Sequence, residues 1–114
     1  MAAEHVFAGL AVADLEPARA WYERLLGRPP DLVPHAAEVA WQLVGEAWVY
    51  VVVDAERAGR GLLTVLVSSL DAFVAEVAAR GLAPAETEQL SNGVRKTTFV
   101  DPAGNRVAFA QAAS

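Results

Sequence analysis

The chain has 114 residues, of which 54% are hydrophobic and 20% charged, and its formal net charge is −5 at pH 7. This length suits a single domain that buries about two thirds of its unfolded surface, and the composition excludes a disordered chain. The acidic balance, without a basic cluster, argues against a nucleic-acid partner, and the lack of cysteine excludes disulfides and thiolate chemistry.

No apolar run approaches the roughly 20 residues of a membrane span, and the start lacks the pattern of a signal peptide. We therefore expect a cytoplasmic protein that binds neither membrane nor nucleic acid. Alanine is abundant and Lys96 is the only lysine beside eight arginines. This usage favours a GC-rich bacterial genome as the source.

The first half of the chain predicts a strand, a helix and then further strands. Residues 6–12 are apolar and form the first predicted strand. Asp14 is placed to cap the following helix, and Gly27 to end it in the left-handed conformation. Two β-runs follow, at residues 38–44 and 47–54, joined by a turn. Residues 54–61 are polar and flanked by glycine, which indicates a linker between halves.

The second half repeats this order. Residues 62–68 predict a strand, Ser69 a helix cap, Gly81 the helix end, and residues 83–88 a short strand. A closing hairpin follows at residues 94–110, around the turn Asp101-Pro102-Ala103-Gly104-Asn105. The halves match with a period of about 55 residues, so we predict one domain made of two repeats, at about 5–54 and 62–111.

Two segments carry a resemblance to a known family. The segment GLAVADLEPARAWYERLLG, at residues 9–27, resembles the first strand and helix of the vicinal oxygen chelate superfamily, and DPAGN resembles its closing hairpin. That superfamily includes glyoxalases, bleomycin resistance proteins and extradiol dioxygenases. The resemblance implies an α+β fold in which two tandem βαβββ modules form a cup-shaped, curved mixed sheet with the helices on the outside. It also implies a homodimer.

Members of that superfamily hold a divalent metal with four His, Glu or Gln side chains from the first and last strands of each module. The resemblance places these four positions at Phe7, Tyr50, Thr64 and Ala108. Phenylalanine and alanine have no donor atom, and tyrosine and threonine are rare ligands. We therefore expect neither a metal nor another cofactor, and we expect no catalytic residue. An alternative metal site built from His5, His35 and a glutamate stays open.

Aromatic residues occupy the region where the metal would lie. Period-2 alternation puts Trp48 and Tyr50 on one strand face, and we expect Phe7 to line the same cup. Whether Trp41, from the preceding strand, also lines the cup stays open. Such a lining is typical of a pocket that holds a planar apolar molecule, although aromatics at alternating positions also fill cores. The candidate ligand-binding residues are Phe7, Trp48, Tyr50, Thr64, Trp41 and Ala108.

Three functions are compatible with these patterns. The preferred hypothesis is a non-catalytic protein, similar to the bleomycin resistance proteins, that binds a small apolar or planar molecule in the cup. The first alternative is a metal-dependent lyase, isomerase or dioxygenase of the same fold, which needs at least three converging ligands. The second alternative is an interaction protein whose cup is filled by side chains. Fold alone does not decide between them.

Overall fold

The computed structural model describes residues 1–113 and contains two helices and eight strands. In chain order, the elements are β1 (Val6–Val12), α1 (Leu15–Leu26), β2 (Leu32–His35), β3 (Glu38–Val44), β4 (Ala47–Val53), β5 (Leu62–Leu66), α2 (Leu70–Ala79), β6 (Glu86–Gln89), β7 (Arg95–Val100) and β8 (Arg106–Gln111). Neither helix is long and apolar enough to cross a membrane.

The strands form two separate four-stranded sheets with the same plan. The order is β1-β4-β3-β2 in the first sheet and β5-β8-β7-β6 in the second. The first strand of each half runs parallel to the last strand of that half, and the other neighbours are antiparallel. The elements of each half therefore follow the order βαβββ, which confirms the predicted α+β fold of two similar modules.

Helix α1 covers one face of the first sheet. Ala18, Tyr22 and Leu25 recur at helical spacing and are buried. Gly27 ends the helix at φ 80°, and its N–H donates to the Glu23 carbonyl, as expected from the sequence. Asp14 has the extended conformation of an N-cap, but its side chain accepts no capping hydrogen bond, so that expectation was wrong.

Helix α2 covers the second sheet and also contacts α1. Ser69 caps it as expected, because its hydroxyl accepts from the Ala72 N–H at 3.4 Å. At the other end, the Arg80 guanidinium donates to the carbonyls of Arg24 and Leu25, the latter at 3.1 Å. A cation at these unpaired carbonyls stabilises the C-terminus of α1. The two modules are thus joined through their helices.

Three strands differ from the expectation by more than one residue at an end. Strand β2 was not predicted, and it includes His35, which had been assigned to a loop. Strand β5 ends at Leu66 instead of residue 68, and β6 covers Glu86–Gln89 instead of residues 83–88. The edge strand β2 contains Pro34. Because proline lacks a backbone N–H donor, a sequence pattern that contains it does not predict a strand.

The closing hairpin attaches the second module to the first. The Asp101 carboxylate accepts from the backbone N–H groups of residues 103–105, from the Asn105 amide and from the Tyr22 hydroxyl, the last at 2.7 Å. The Asn105 amide also donates to the Ala11 carbonyl of β1 at 2.8 Å and accepts from the Gly61 N–H at 2.7 Å. Burial first, and then the Asp101 charge and hydrogen bond, raise the pKa of Tyr22 well above its usual range.

Candidate functional site

Each sheet has one face covered by a helix and one that is not; we call the second the open face. In the first sheet, Leu10, Val49 and Val51 belong to the core beside α1 and are at most 2% exposed. Residues alternating with these point to the other side. The open face of the first sheet therefore carries Phe7, Gly9, Trp48, Tyr50, Glu38, Ala40 and Gln42.

Three aromatic side chains on this open face form what we call the aromatic cluster: Phe7, Trp48 and Tyr50. The Phe7 and Trp48 rings stack with centroids 5.5 Å apart and planes 21° from parallel. The Tyr50 ring lies across Gly9, where an added Cβ would sit 2.4 Å from the Tyr50 Cζ. Glycine at this position therefore lets the Tyr50 ring lie flat against β1. The structure brings together three of the six expected binding residues here.

The Trp48 indole leaves a donor without a partner. Its Nε1 is shielded from solvent, and no acceptor within residues 1–113 lies within hydrogen-bonding distance of it. A buried donor without an acceptor costs about 1–3 kcal/mol.

Trp41 does not belong to the aromatic cluster, contrary to its inclusion among the binding residues. It pairs with Val49, which faces α1, and its side chain is fully buried. Its Nε1–H donates to the Arg28 carbonyl at 3.0 Å, and its ring lies 6.0 Å from the Tyr22 ring. Trp41 is a core residue of the first module.

The open face of the second sheet holds the other two expected residues. Thr64 of β5 and Ala108 of β8 are register partners and line one cavity of about 150 Å³. Lys96 and Thr98 of β7 also line this cavity, which contains residues of the second sheet only. The six expected residues therefore fall into three groups: the aromatic cluster, the pair at Thr64 and Ala108, and buried Trp41.

The side chains present do not fit the metal site of the superfamily. The four positions that the resemblance assigns to the metal ligands offer one phenol and one hydroxyl, at Tyr50 and Thr64, and hydrocarbon at the other two. His5 instead pairs with Glu46 at 3.0 Å, and His35 with Glu38 at 3.4 Å. In the described part of the chain, no three His, Asp or Glu side chains form a group that could hold a metal ion.

Sequence reasoning missed two residues that shape the open faces. Gly9 makes room for the Tyr50 ring, and its position two residues after Phe7 on the same strand face was the available signal. Thr98 lines the cavity beside Lys96, which precedes it by two residues on the same strand.

Comparisons with known proteins agree with this architecture. No family model and no curated protein sequence matches the chain. Among solved structures, a glyoxalase/bleomycin resistance protein from Catenulispora acidiphila DSM 44928 is 41% identical over 96% of this chain and 99% of that one, with a TM-score of 0.92.

Two more distant structures share the fold. A lactoylglutathione lyase from Agrobacterium tumefaciens is 19% identical, over 93% of this chain and 91% of that one, with a TM-score of 0.75. TnmS3, an antibiotic binding protein from Streptomyces sp. CB03234, is 22% identical, over 98% of both chains, with a TM-score of 0.76. The match to the C. acidiphila protein, at 41% identity over nearly the whole of both chains, shows the family. The chain therefore belongs to the glyoxalase/bleomycin resistance protein family of the vicinal oxygen chelate superfamily.

Proposed function

We propose that this protein is a non-catalytic small-molecule-binding protein that holds a planar, largely apolar ligand against the aromatic cluster. One observation carries the proposal: Phe7, Trp48 and Tyr50 share a sheet face that no helix covers, and the resemblance to the superfamily assigns metal-ligand positions to Phe7 and Tyr50. Phe7 is 49% exposed although it is large and apolar. An exposed aromatic surface of this kind is typical of a binding site.

The expected affinity follows from the surface that a ligand would cover. A planar molecule that removes about 200 Å² of apolar surface from water gains about 5 kcal/mol at 25 cal/mol per Å². Stacking on an aromatic ring adds about 0.5–1.5 kcal/mol. Because immobilising the ligand costs about 4 kcal/mol or more, these terms support only weak binding to this face alone, and a tighter complex needs the further contacts of an enclosed cup.

We further propose that the protein is a homodimer whose second copy completes the cup. Leu62 and Leu66 lie on the open face of the second sheet and are 80% and 72% exposed. They belong to β5, an edge strand, and Phe7 belongs to the edge strand β1. Apolar side chains along exposed edge strands favour association. In this arrangement the aromatic cluster and the Thr64–Ala108 cavity enclose one ligand. We also propose that the protein acts in the cytoplasm.

The fold alone does not assign a ligand, because members at this level of similarity include both a lactoylglutathione lyase and an antibiotic binding protein. The donor set at the cup distinguishes the two possibilities for this chain. A metal-dependent lyase needs several His or Glu ligands, which Phe7, Tyr50, Thr64 and Ala108 do not supply. An aromatic-lined site suits sequestration instead.

Tryptophan fluorescence tests the proposal, with N-phenyl-1-naphthylamine as an uncharged planar probe. We expect saturable quenching by the probe. Trp48→Phe should remove most of the quenching and weaken binding at least tenfold. Trp21→Phe should leave the affinity within twofold, because Trp21 lies on α1, at the other side of the sheet. Absence of saturable binding, or a stoichiometric metal in the purified protein by elemental mass spectrometry, would contradict the proposal.

A further inference from the structure

The two open faces differ in chemistry, and the difference defines the ligand further. The first carries the aromatic cluster, whereas the cavity of the second is lined by side chains that include Thr64, Thr98, Lys96, Arg106 and Glu88. A ligand enclosed between them would meet rings on one side and polar groups on the other. The inference below rests on the proposed function.

The charges on the second open face are not all paired. Arg106 forms an ion pair with Glu86 at 2.8 Å, so part of its charge is offset. Lys96 is half-buried, and no carboxylate of residues 1–113 forms an ion pair with it. Its neighbour across the strands is Glu88, which also forms no ion pair within the described chain. Among the charged residues that line the cavity, Lys96 and Glu88 are thus the two that form no ion pair within residues 1–113.

The position of the two groups in the sheet favours Lys96. The strand order places β7, with Lys96, directly beside β8, and Lys96 lies opposite Ala110. Glu88 lies on β6, the outermost strand, one strand further from Thr64 and Ala108. A ligand seated over the small Ala108 side chain therefore reaches the Lys96 ammonium before it reaches the Glu88 carboxylate.

The first open face also carries a donor without a partner. The Trp48 N–H is shielded from solvent and has no acceptor within residues 1–113. Lys96 and Trp48 are both donors, and neither has a protein partner in the described structure. Of the two, the Lys96 ammonium is the donor that lines a cavity, and a hydrogen bond from it to a charged oxygen is about twice as strong as a neutral one.

We propose that the ligand is a planar aromatic molecule that carries an anionic oxygen group, such as a carboxylate, sulfonate or phenolate, and that Lys96 determines this specificity. The aromatic rings lie against the cluster of Phe7, Trp48 and Tyr50. The anionic group contacts the Lys96 ammonium, and Thr98 beside it contributes a hydroxyl. Lys96 thereby selects among planar ligands that the aromatic cluster alone would bind equally.

Two matched probes separate this inference from the proposed function. 1-Anilinonaphthalene-8-sulfonate has the anilinonaphthalene skeleton of the uncharged N-phenyl-1-naphthylamine and adds one sulfonate. Each probe is titrated by fluorescence into the full-length wild type and into Lys96→Met, in which a side chain of similar length has no charge. Arg24→Met is the control, since it removes one positive charge from the exposed surface of α1.

We expect Lys96→Met to weaken binding of the sulfonate probe about tenfold and to leave binding of the uncharged probe within twofold. Arg24→Met should leave both affinities within twofold. Equal affinity changes for both probes in Lys96→Met, or none for either, would overturn the role of Lys96 while the proposed function stood. If neither probe binds the wild type, the proposed function and this inference both fail.

Discussion

The side chain of Asn105 offers a quantitative test of how the two modules are joined. It is fully buried. Its amide donates to the Ala11 carbonyl at 2.8 Å and to Asp101 at 2.9 Å, and its oxygen accepts from the Gly61 N–H at 2.7 Å. One amide thus connects the closing hairpin, the first strand and the linker between the modules. Asn105→Ala removes all three bonds together.

The cost of Asn105→Ala can be worked out from the groups that lose a partner. The Gly61 N–H has no other acceptor among the described backbone bonds, and an unsatisfied buried donor costs about 1–3 kcal/mol. The Ala11 carbonyl loses less, because the Gly59 N–H also donates to it at 3.3 Å. With the small void that alanine leaves, we expect a loss of about 2–4 kcal/mol. This is a large part of the 5–15 kcal/mol typical of a domain.

Urea unfolding followed by circular dichroism measures the effect. Asn92→Ala is the matched control, because Asn92 is exposed and its oxygen accepts only from the nearby Val94 N–H at 3.1 Å. We expect the control to change the free energy of unfolding by less than about 0.5–1 kcal/mol. An Asn105→Ala protein as stable as the control would refute the assignment of Asn105 as the link between the modules.

Three further predictions concern single side chains. Unfolded tyrosine ionises near pH 10, whereas buried Tyr22 keeps its proton, so the wild-type free energy of unfolding should fall by about 1.4 kcal/mol per pH unit above pH 10. Urea unfolding from pH 9 to 11.5 should show this component in the wild type and not in Tyr22→Phe. Gly9→Ala should displace the Tyr50 ring, weakening binding of N-phenyl-1-naphthylamine by fluorescence titration at least tenfold while stability changes by less than about 1 kcal/mol. Ser69→Ala should lower the free energy of unfolding by about 1 kcal/mol, because α2 loses its cap, and thermal unfolding measures this change. The burial of the Tyr22 hydroxyl would be contradicted if Tyr22→Phe kept the wild-type pH profile. The contact of the Tyr50 ring with Gly9 would be contradicted if Gly9→Ala kept the wild-type probe affinity. The Ser69 cap would be contradicted if Ser69→Ala kept the wild-type stability.

The fold was largely predictable because its turns carry strong local signals. Gly27, at φ 80°, ends α1, and Gly104, at φ 108°, lies in the closing hairpin, as the sequence indicates. Strand β1 has the predicted bounds because its apolar run is continuous. Strand β2 lacked such a signal, since Pro34 interrupts it and its four residues are all exposed.

The site was less predictable because strand faces depend on register. Trp41 and Trp48 both lie in the β3–β4 hairpin, yet they point to opposite faces, since Trp48 pairs with Gln42 and Trp41 with Val49. The register shifts between Gln42 and Val44 near the turn. A shift of one residue moves a side chain to the other face, so sequence periodicity within one strand could not place Trp41 relative to Trp48.

The indole N–H signals of the three tryptophans test the central proposal most directly. In a ¹H–¹⁵N correlation spectrum titrated with N-phenyl-1-naphthylamine, we predict that the Trp48 signal, assigned by its loss in Trp48→Phe, shifts progressively to saturation. The Trp41 signal should stay in place, because its N–H donates to the Arg28 carbonyl within the core. A saturable titration in which the Trp48 signal does not move, or in which no tryptophan signal responds, would contradict binding at the aromatic cluster.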